Sequence, residues 1–264
     1  MSEVDQLPVP ALTTDQLTRY FGEQCAVNGI NLRVEAGTFY GFLGPNGAGK
    51  STTIKMLTGL LQPNAGSIRI LGRDPAIPSD VLEIKRRIGV VPENLALFDN
   101  LTATEHLTFV GRMFQLDPET IRQRSRELLE LMKLDREHRK LTLEYSHGMR
   151  KKLALAAALL PNPELLFLDE PFEGVDAVTS SVIRDLLADF VSRGRTVFLT
   201  SHVLEIVERL CTHVGIISAG QLVEQTSLDE LRQGSSLEKR FLERVGFQPE
   251  HAARLSWLEG ASQG

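Results

Sequence analysis

The chain has 264 residues, 42% hydrophobic and 24% charged, with a formal net charge of −5. This suits one large packed domain or one domain with two lobes, and the acidic balance disfavours nucleic acid as a partner, because phosphate binding calls for a basic face. Cys25 and Cys211 stand far apart with no metal-type spacing, which argues against a disulfide framework and fits a reducing compartment.

Residues 1–11 are polar, carry Pro8 and Pro10, and read as a loose leader with neither the basic region nor the apolar run of a secretory signal. In "INLRVEAGTFYGFLG" the residues alternate and then run apolar, which predicts two strands around an "EAG" turn. "KSTTIKMLTGLL" reads as a helix ending near Gly59 and Pro63, and "AGSIRILG" and "RRIGVVPEN" as further strands. From Asn100 to about Leu141 the pattern turns helical. Thr102 with Glu105 forms a capping-box arrangement, and Asp117 precedes Pro118 at a second helix start. Strand and helix then alternate again: "ELLFLDEP", a helix over about residues 178–193, "TVFLTSH", a helix after His202, and "VGIISAGQLV". The pattern predicts an α/β core with a mainly parallel sheet, an antiparallel β flank from the early strands, and an inserted helical lobe over about residues 94–160. The apolar run "LALAAALL" is far too short to cross a bilayer. Any membrane role must therefore pass through a partner.

The chemistry starts at "GPNGAGKS", which matches G-x-x-x-x-G-K-[ST] between a predicted strand and a predicted helix. Gly44, Pro45, Asn46, Gly47, Ala48 and Gly49 would curl so that backbone N–H groups face phosphate oxygens, and the following helix adds its positive end. Lys50 would reach the terminal phosphates, the Ser51 hydroxyl would ligate Mg²⁺, and Thr52 would add a phosphate donor. "LLFLDEP" brings Asp169 to the end of a buried strand, where ligands bind in open α/β sheets, with Glu170 placed to orient or deprotonate an attacking water. Two adjacent carboxylates at the end of an apolar strand call for a positive partner. In "YSHGM", Ser146 is a good N-cap and Gly148 leaves room for a phosphate at the helix head. The following Arg150, Lys151 and Lys152 read as a solvated basic face.

At this point the chain resembles the nucleotide-binding subunit of an ATP-binding cassette (ABC) transporter over roughly residues 12–246. It looks most like the exporter-type branch with a separate membrane chain. The resemblance rests on the phosphate loop, "YSHGM", "LLFLDEP", "EGVD" and "TSH", in that order. The usual Leu-Ser-Gly-Gly-Gln pattern is met at Ser146 and Gly148 and departed from at Tyr145, His147 and Met149. The resemblance implies a P-loop NTPase core and ATP with Mg²⁺. It implies Phe21 as the adenine-stacking residue, with Tyr20 second, Glu93 as a metal or water ligand in place of a usual glutamine, and Asp176 in a dimer-contact loop. It also implies that His202 contacts the γ-phosphate and supports Glu170. The expected partners are a second ATP-binding cassette subunit, placed head to tail, and a separate transmembrane permease contacted near Glu93 to Phe114. The expected location is peripheral, on the cytoplasmic face of the cell membrane. Residues 247–264 are expected to form a short tail. The alternative is a soluble ABC-type mechanical ATPase acting on nucleic acid or ribosomes, which the charge and the single cassette disfavour.

Overall fold

The computed structural model describes residues 9–246 other than 138 and 235, so the expected tail and most of the expected leader lie outside the described residues. Where the leader ends, Ala11 is fully buried and its carbonyl accepts the Leu71 amide at 2.9 Å. The first half of the chain forms β1 (Leu12–Phe21), β2 (Gln24–Ile30), β3 (Arg33–Val34), β4 (Phe39–Leu43), α1 (Lys50–Leu57), β5 (Ala65–Ile70), α2 (Pro78–Arg87), β6 (Ile88–Val91), α3 (Ala103–Met113) and α4 (Pro118–Leu131). Two single 3₁₀ turns follow. Then come α5 (His147–Leu159), β7 (Leu165–Asp169), α6 (Ala177–Ser192), β8 (Thr196–Ser201), α7 (Leu204–Leu210), β9 (His213–Ser218), β10 (Gln221–Ser227), α8 (Leu228–Gly234) and α9 (Leu237–Arg244).

Two sheets result. β1 pairs antiparallel with β2, β3 and β5. The larger sheet runs β10-β9-β4-β8-β7-β6, parallel except for β10 on β9. Every residue of β4, β7 and β8 is buried, as expected of parallel strands covered on both faces. Alternate residues feed two cores. Leu166, Leu168, Val197 and Leu199 pack on the α5 and α6 side, and Phe42, Phe167 and Phe198 on the other. Phe198 stands 5.4–5.7 Å from the rings of Tyr40, Phe42 and Phe167, so one aromatic cluster cements three neighbouring strands.

The register positions the chemistry. Leu43 lies opposite Ser201, and Asp169 opposite Thr200, so three strands end side by side at one edge. The phosphate loop, the acidic pair and the Thr200–His202 stretch leave the sheet together there.

The three helix caps expected from the sequence are formed: the Thr102–Glu105 box closes in both directions, the Asp117 carboxylate accepts from Thr120 N at 2.9 Å, and the Ser146 hydroxyl accepts from Met149 N at 3.3 Å. Two features were not expected. The β1–β2 hairpin was not read as strands, because Gln16 at φ 47° and the bulges after Leu17 break its alternation. Helix α2 was also missed, although Pro78 at its first turn, Asp80 near its start and Lys85, Arg86 and Arg87 at its end are ordinary helix signals.

Candidate active site

The loop from Gly44 to Gly49 joins β4 to α1 and needs glycine at two positions for different reasons. A Cβ on Gly44 would sit 2.5 Å from the Ile217 carbonyl oxygen. Gly49 combines φ of +107° with a 2.5 Å approach of the Ala26 carbonyl oxygen to any added Cβ. Ala48 is buried against this turn.

Lys50 opens α1 and is 6% exposed. Its ammonium donates to the Gly44 carbonyl at 2.7 Å and to the Pro45 carbonyl at 3.3 Å, and lies 3.6 Å from Glu170 Oε1. Across the edge, His202 Nδ1 lies 3.1 Å from the other oxygen of the same carboxylate. Glu170 thus stands between the phosphate-loop lysine and the histidine.

Thr200, which sequence reasoning passed over, organises the acidic pair. Its hydroxyl donates to Asp169 Oδ1 at 2.5 Å and accepts the Glu170 amide at 3.1 Å. The Ser51 hydroxyl donates to the same Asp169 oxygen at 3.4 Å. The signal for Thr200 was its place one residue before Ser201-His202 on a strand parallel to "LLFLD"; the register was needed to pair it with Asp169.

Glu170 has a left-handed backbone, φ 48°, which costs a non-glycine residue about 1–3 kcal/mol and persists only when its surroundings impose it. Its carbonyl accepts from Lys151 Nζ at 2.6 Å and from the Glu173 amide at 3.2 Å. The expected solvated basic face is therefore corrected in part: Lys151 is 5% exposed and points from α5 into the site. Burial pushes its pKa down, opposed by the carboxylates of Glu173, Glu170, Glu93 and Asp169. Arg150 is turned aside to Asp99, at 2.7 Å.

A cleft of about 450 Å³ opens on this edge. Phe21, Asn46, Gly47, Gly49, Lys50, Ser51, Thr52, Glu93, Glu170 and His202 of the expected set line it, joined by Gln24, Ala26 and Glu173. Phe21 and Tyr20 are 48% and 45% exposed, but of the two only Phe21 faces the cleft, with the Arg19 guanidinium 4.8 Å from its ring. Asp169 lies beneath, on a neighbouring hollow that also touches Glu93.

Ser146, Gly148 and Asp176 are not in the cleft. Ser146 caps α5, its hydroxyl accepting from Met149 N at 3.3 Å. Asp176 caps α6, accepting from the amides of Val178 and Thr179 at 2.9 Å, and the Thr179 amide and hydroxyl hold its carboxyl below the ordinary range. The two helix heads adjoin: a Cβ on Gly148 would lie 3.2 Å from Thr179 Oγ1. The His147 ring approaches Gly174 in the loop before α6.

A glycine-rich loop with a buried lysine, set beside two carboxylates and a histidine at the carboxyl edge of a parallel sheet, is the arrangement of a nucleoside triphosphatase. Residues 27–173, more than half of the chain, match the family described as ABC transporter. The chain is 40% identical over 223 residues to the bacitracin transport ATP-binding protein BcrA of Bacillus licheniformis, covering 84% of this chain and 71% of that one. It is 38% identical over 223 residues to the Nod factor export ATP-binding protein I of Burkholderia lata, covering 83% and 71%. Among solved structures, one described as the ATP binding subunit of an ABC transporter superposes with a TM-score of 0.82 at 29% identity, covering 89% of this chain and 99% of that one. The dimeric structure of MJ0796, a bacterial ABC transporter cassette, does so with a TM-score of 0.76 at 26% identity, covering 82% and 98%. The chain belongs to the ABC transporter family, with the fold of its ATPase cassettes, and it is an ATPase whose hydrolysis is coupled to transport.

Proposed function

We propose that the protein is the ATP-hydrolysing subunit of an exporter, bound to the cytoplasmic face of a membrane by a separate permease, and that two cassettes close head to tail around ATP. The observation that carries this reading is the meeting of Lys50 and His202 on the Glu170 carboxylate, 3.6 Å and 3.1 Å from its two oxygens.

The glycine loop binds the phosphates through its amides, and Lys50 neutralises charge on the terminal ones. Phe21 stacks on the base. Glu170 orients the attacking water and takes its proton, while His202 holds the Glu170 carboxylate and contacts the γ-phosphate. Mg²⁺ fits the donor set of the Ser51 hydroxyl with the Asp169 and Glu93 carboxylates, which are hard oxygen ligands. When bound, it would neutralise charge that develops on the phosphates. The Ser146 and Gly148 head of α5, with the Asp176 loop beside it, lies outside the cleft of its own chain and serves the partner's nucleotide. A dimeric cassette among the structural neighbours supports that arrangement.

None of the helices in the described residues is long and apolar enough to cross a membrane, which supports a separate membrane chain. A groove of about 410 Å³ on the helical lobe, lined in part by Phe98, Phe109, Val110 and Phe114, offers it a docking face. Phe98 and Phe109 meet edge to face at 4.9 Å and remain partly exposed. The export direction draws on the name of the Nod factor export relative.

The test compares Lys50→Ala with Glu170→Gln, reading phosphate release and size-exclusion mass with ATP. Lys50→Ala is expected to weaken ATP binding and abolish turnover. Glu170→Gln is expected to keep binding, lose hydrolysis and accumulate as an ATP-held dimer. Wild-type turnover in Glu170→Gln overturns the assignment of Glu170. Co-purification with ribosomes or DNA rather than with a membrane protein overturns the transport reading.

A further inference from the structure

Lys151 is a buried cation whose link to Glu170 is not part of the catalytic reading above. It sits one turn into α5, five residues after the Ser146 cap, and its ammonium reaches the Glu170 carbonyl at 2.6 Å. Among the described residues it makes no ion pair, although the carboxylates of Glu173, Glu170, Glu93 and Asp169 act on it through their charge. An ammonium buried with a single carbonyl contact and no ion pair carries a desolvation cost that one hydrogen bond only partly offsets. Its presence therefore calls for a reason other than stability.

That reason lies in the residue it holds. Glu170 turns left-handed straight after β7, and this turn brings its carboxylate back between Lys50 and His202. Thr200 holds its amide, and Lys151 holds its carbonyl together with the longer bond from the Glu173 amide. Both ends of one strained residue are thereby tied, one to the sheet and the other to α5.

We infer that Lys151 is the positioning residue for Glu170, and that it links the head of α5 to the hydrolytic carboxylate of its own chain. This rests on the role proposed for Glu170. Because the α5 head serves the partner's nucleotide in the head-to-tail dimer, Lys151 gives each site a direct mechanical line to the other. A small shift of α5 moves the donor that holds the Glu170 carbonyl.

The experiment uses the full-length protein with Lys151→Met, Lys151→Gln and Lys151→Arg, each alone and in the Glu170→Gln background. It reads steady-state kcat and KM, affinity for a fluorescent ATP analogue, single-turnover hydrolysis and the unfolding midpoint. Lys151→Met and Lys151→Gln are expected to lose kcat at least tenfold, with KM and nucleotide affinity within twofold. Lys151→Arg should recover to within about threefold of wild type, since a guanidinium can also donate to the carbonyl. The unfolding midpoint separates a loss of kcat from unfolding at the assay temperature. Acting only through Glu170, Lys151→Met should slow residual single-turnover hydrolysis less than twofold further in the Glu170→Gln background.

A kcat within twofold of wild type in Lys151→Met overturns the proposal. So does a loss that is fully additive in the Glu170→Gln background, or one accompanied by an equal loss of nucleotide affinity. Turnover retained by Glu170→Gln alone overturns the reading of Glu170 itself, and is distinguished because it needs no change at Lys151.

Discussion

Replacing Thr200 by valine keeps the shape of the side chain and deletes one hydroxyl that serves two groups. Thr200 is fully buried, so water cannot take its place. The Glu170 amide, now 3.1 Å from the hydroxyl, would lose its acceptor, and Asp169 would lose its 2.5 Å donor and keep only Ser51 at 3.4 Å. Leaving a buried donor or acceptor unmade costs about 1–3 kcal/mol, and more for a charged one. Because Ser51 remains on Asp169, the sum is taken as about 2–4 kcal/mol. For a chain of this size each kcal/mol moves the melting point by about 2–4 °C, so Thr200→Val should melt roughly 5–15 °C lower. Thr200→Ser retains both hydrogen bonds and loses one methyl, for about 1 kcal/mol. Paired thermal and urea unfolding of the two variants decides the matter, with phosphate release alongside. The valine variant should also lose turnover more than the serine one, since the Glu170 amide is released. If Thr200→Val melts within about 2 °C of wild type, or no lower than Thr200→Ser, the hydroxyl is not what holds the acidic pair.

Three further outcomes are expected. Gly148→Asp should all but abolish ATPase activity while leaving nucleotide affinity of the isolated chain nearly intact, because it sets an anion beside Thr179 and Asp176 at the α5 head. His147→Gly, by contrast, should change turnover by less than about tenfold, and a histidine variant as inactive as Gly148→Asp would refute the separation of roles. At the far edge of the sheet, the Arg87 guanidinium grips Glu164 through two 2.7 Å hydrogen bonds and holds its carboxyl below the ordinary range. The stability that pair contributes is therefore complete above the unfolded pKa of about 4.3 and is lost as the pH falls through the lowered folded value. Since both side chains are a third or more exposed, the gap between wild type and Glu164→Gln should be only about 0.2–1 kcal/mol at neutral pH. It should narrow in urea titrations as the pH falls below the unfolded value of about 4.3, and a gap that stays constant through that fall would refute the assignment.

Much of the fold was legible because its signals are local. Strand β4 carries no charged residue and β7 is apolar up to the Asp169 that ends it, and the helix starts at Thr102, Asp117 and Ser146 carry their caps within three residues. The hairpin of β1 and β2 was not, since its bulges break the period on which strand reading depends. The reading of Lys151 failed for a related reason. A lysine in a basic triplet at a helix start looks solvated, and only the packing of α5 beneath the β7 end turns it inward.

The sequence by itself determined which residues could handle phosphate. A glycine loop can turn in only a few ways, and a carboxylate pair ending an apolar strand has few reasons to be there. Tertiary structure alone decided which groups meet. Lys50 and Glu170 lie 120 positions apart in the chain, and Asp169 and Thr200 lie 31 apart. Each pair is joined by strand order and register in a parallel sheet, where a one-residue slip of β8 against β7 would turn Thr200 to the opposite face and leave Asp169 without its donor. Register is set by the sum of side-chain packing over both faces of the sheet, and no single stretch of the sequence carries that sum.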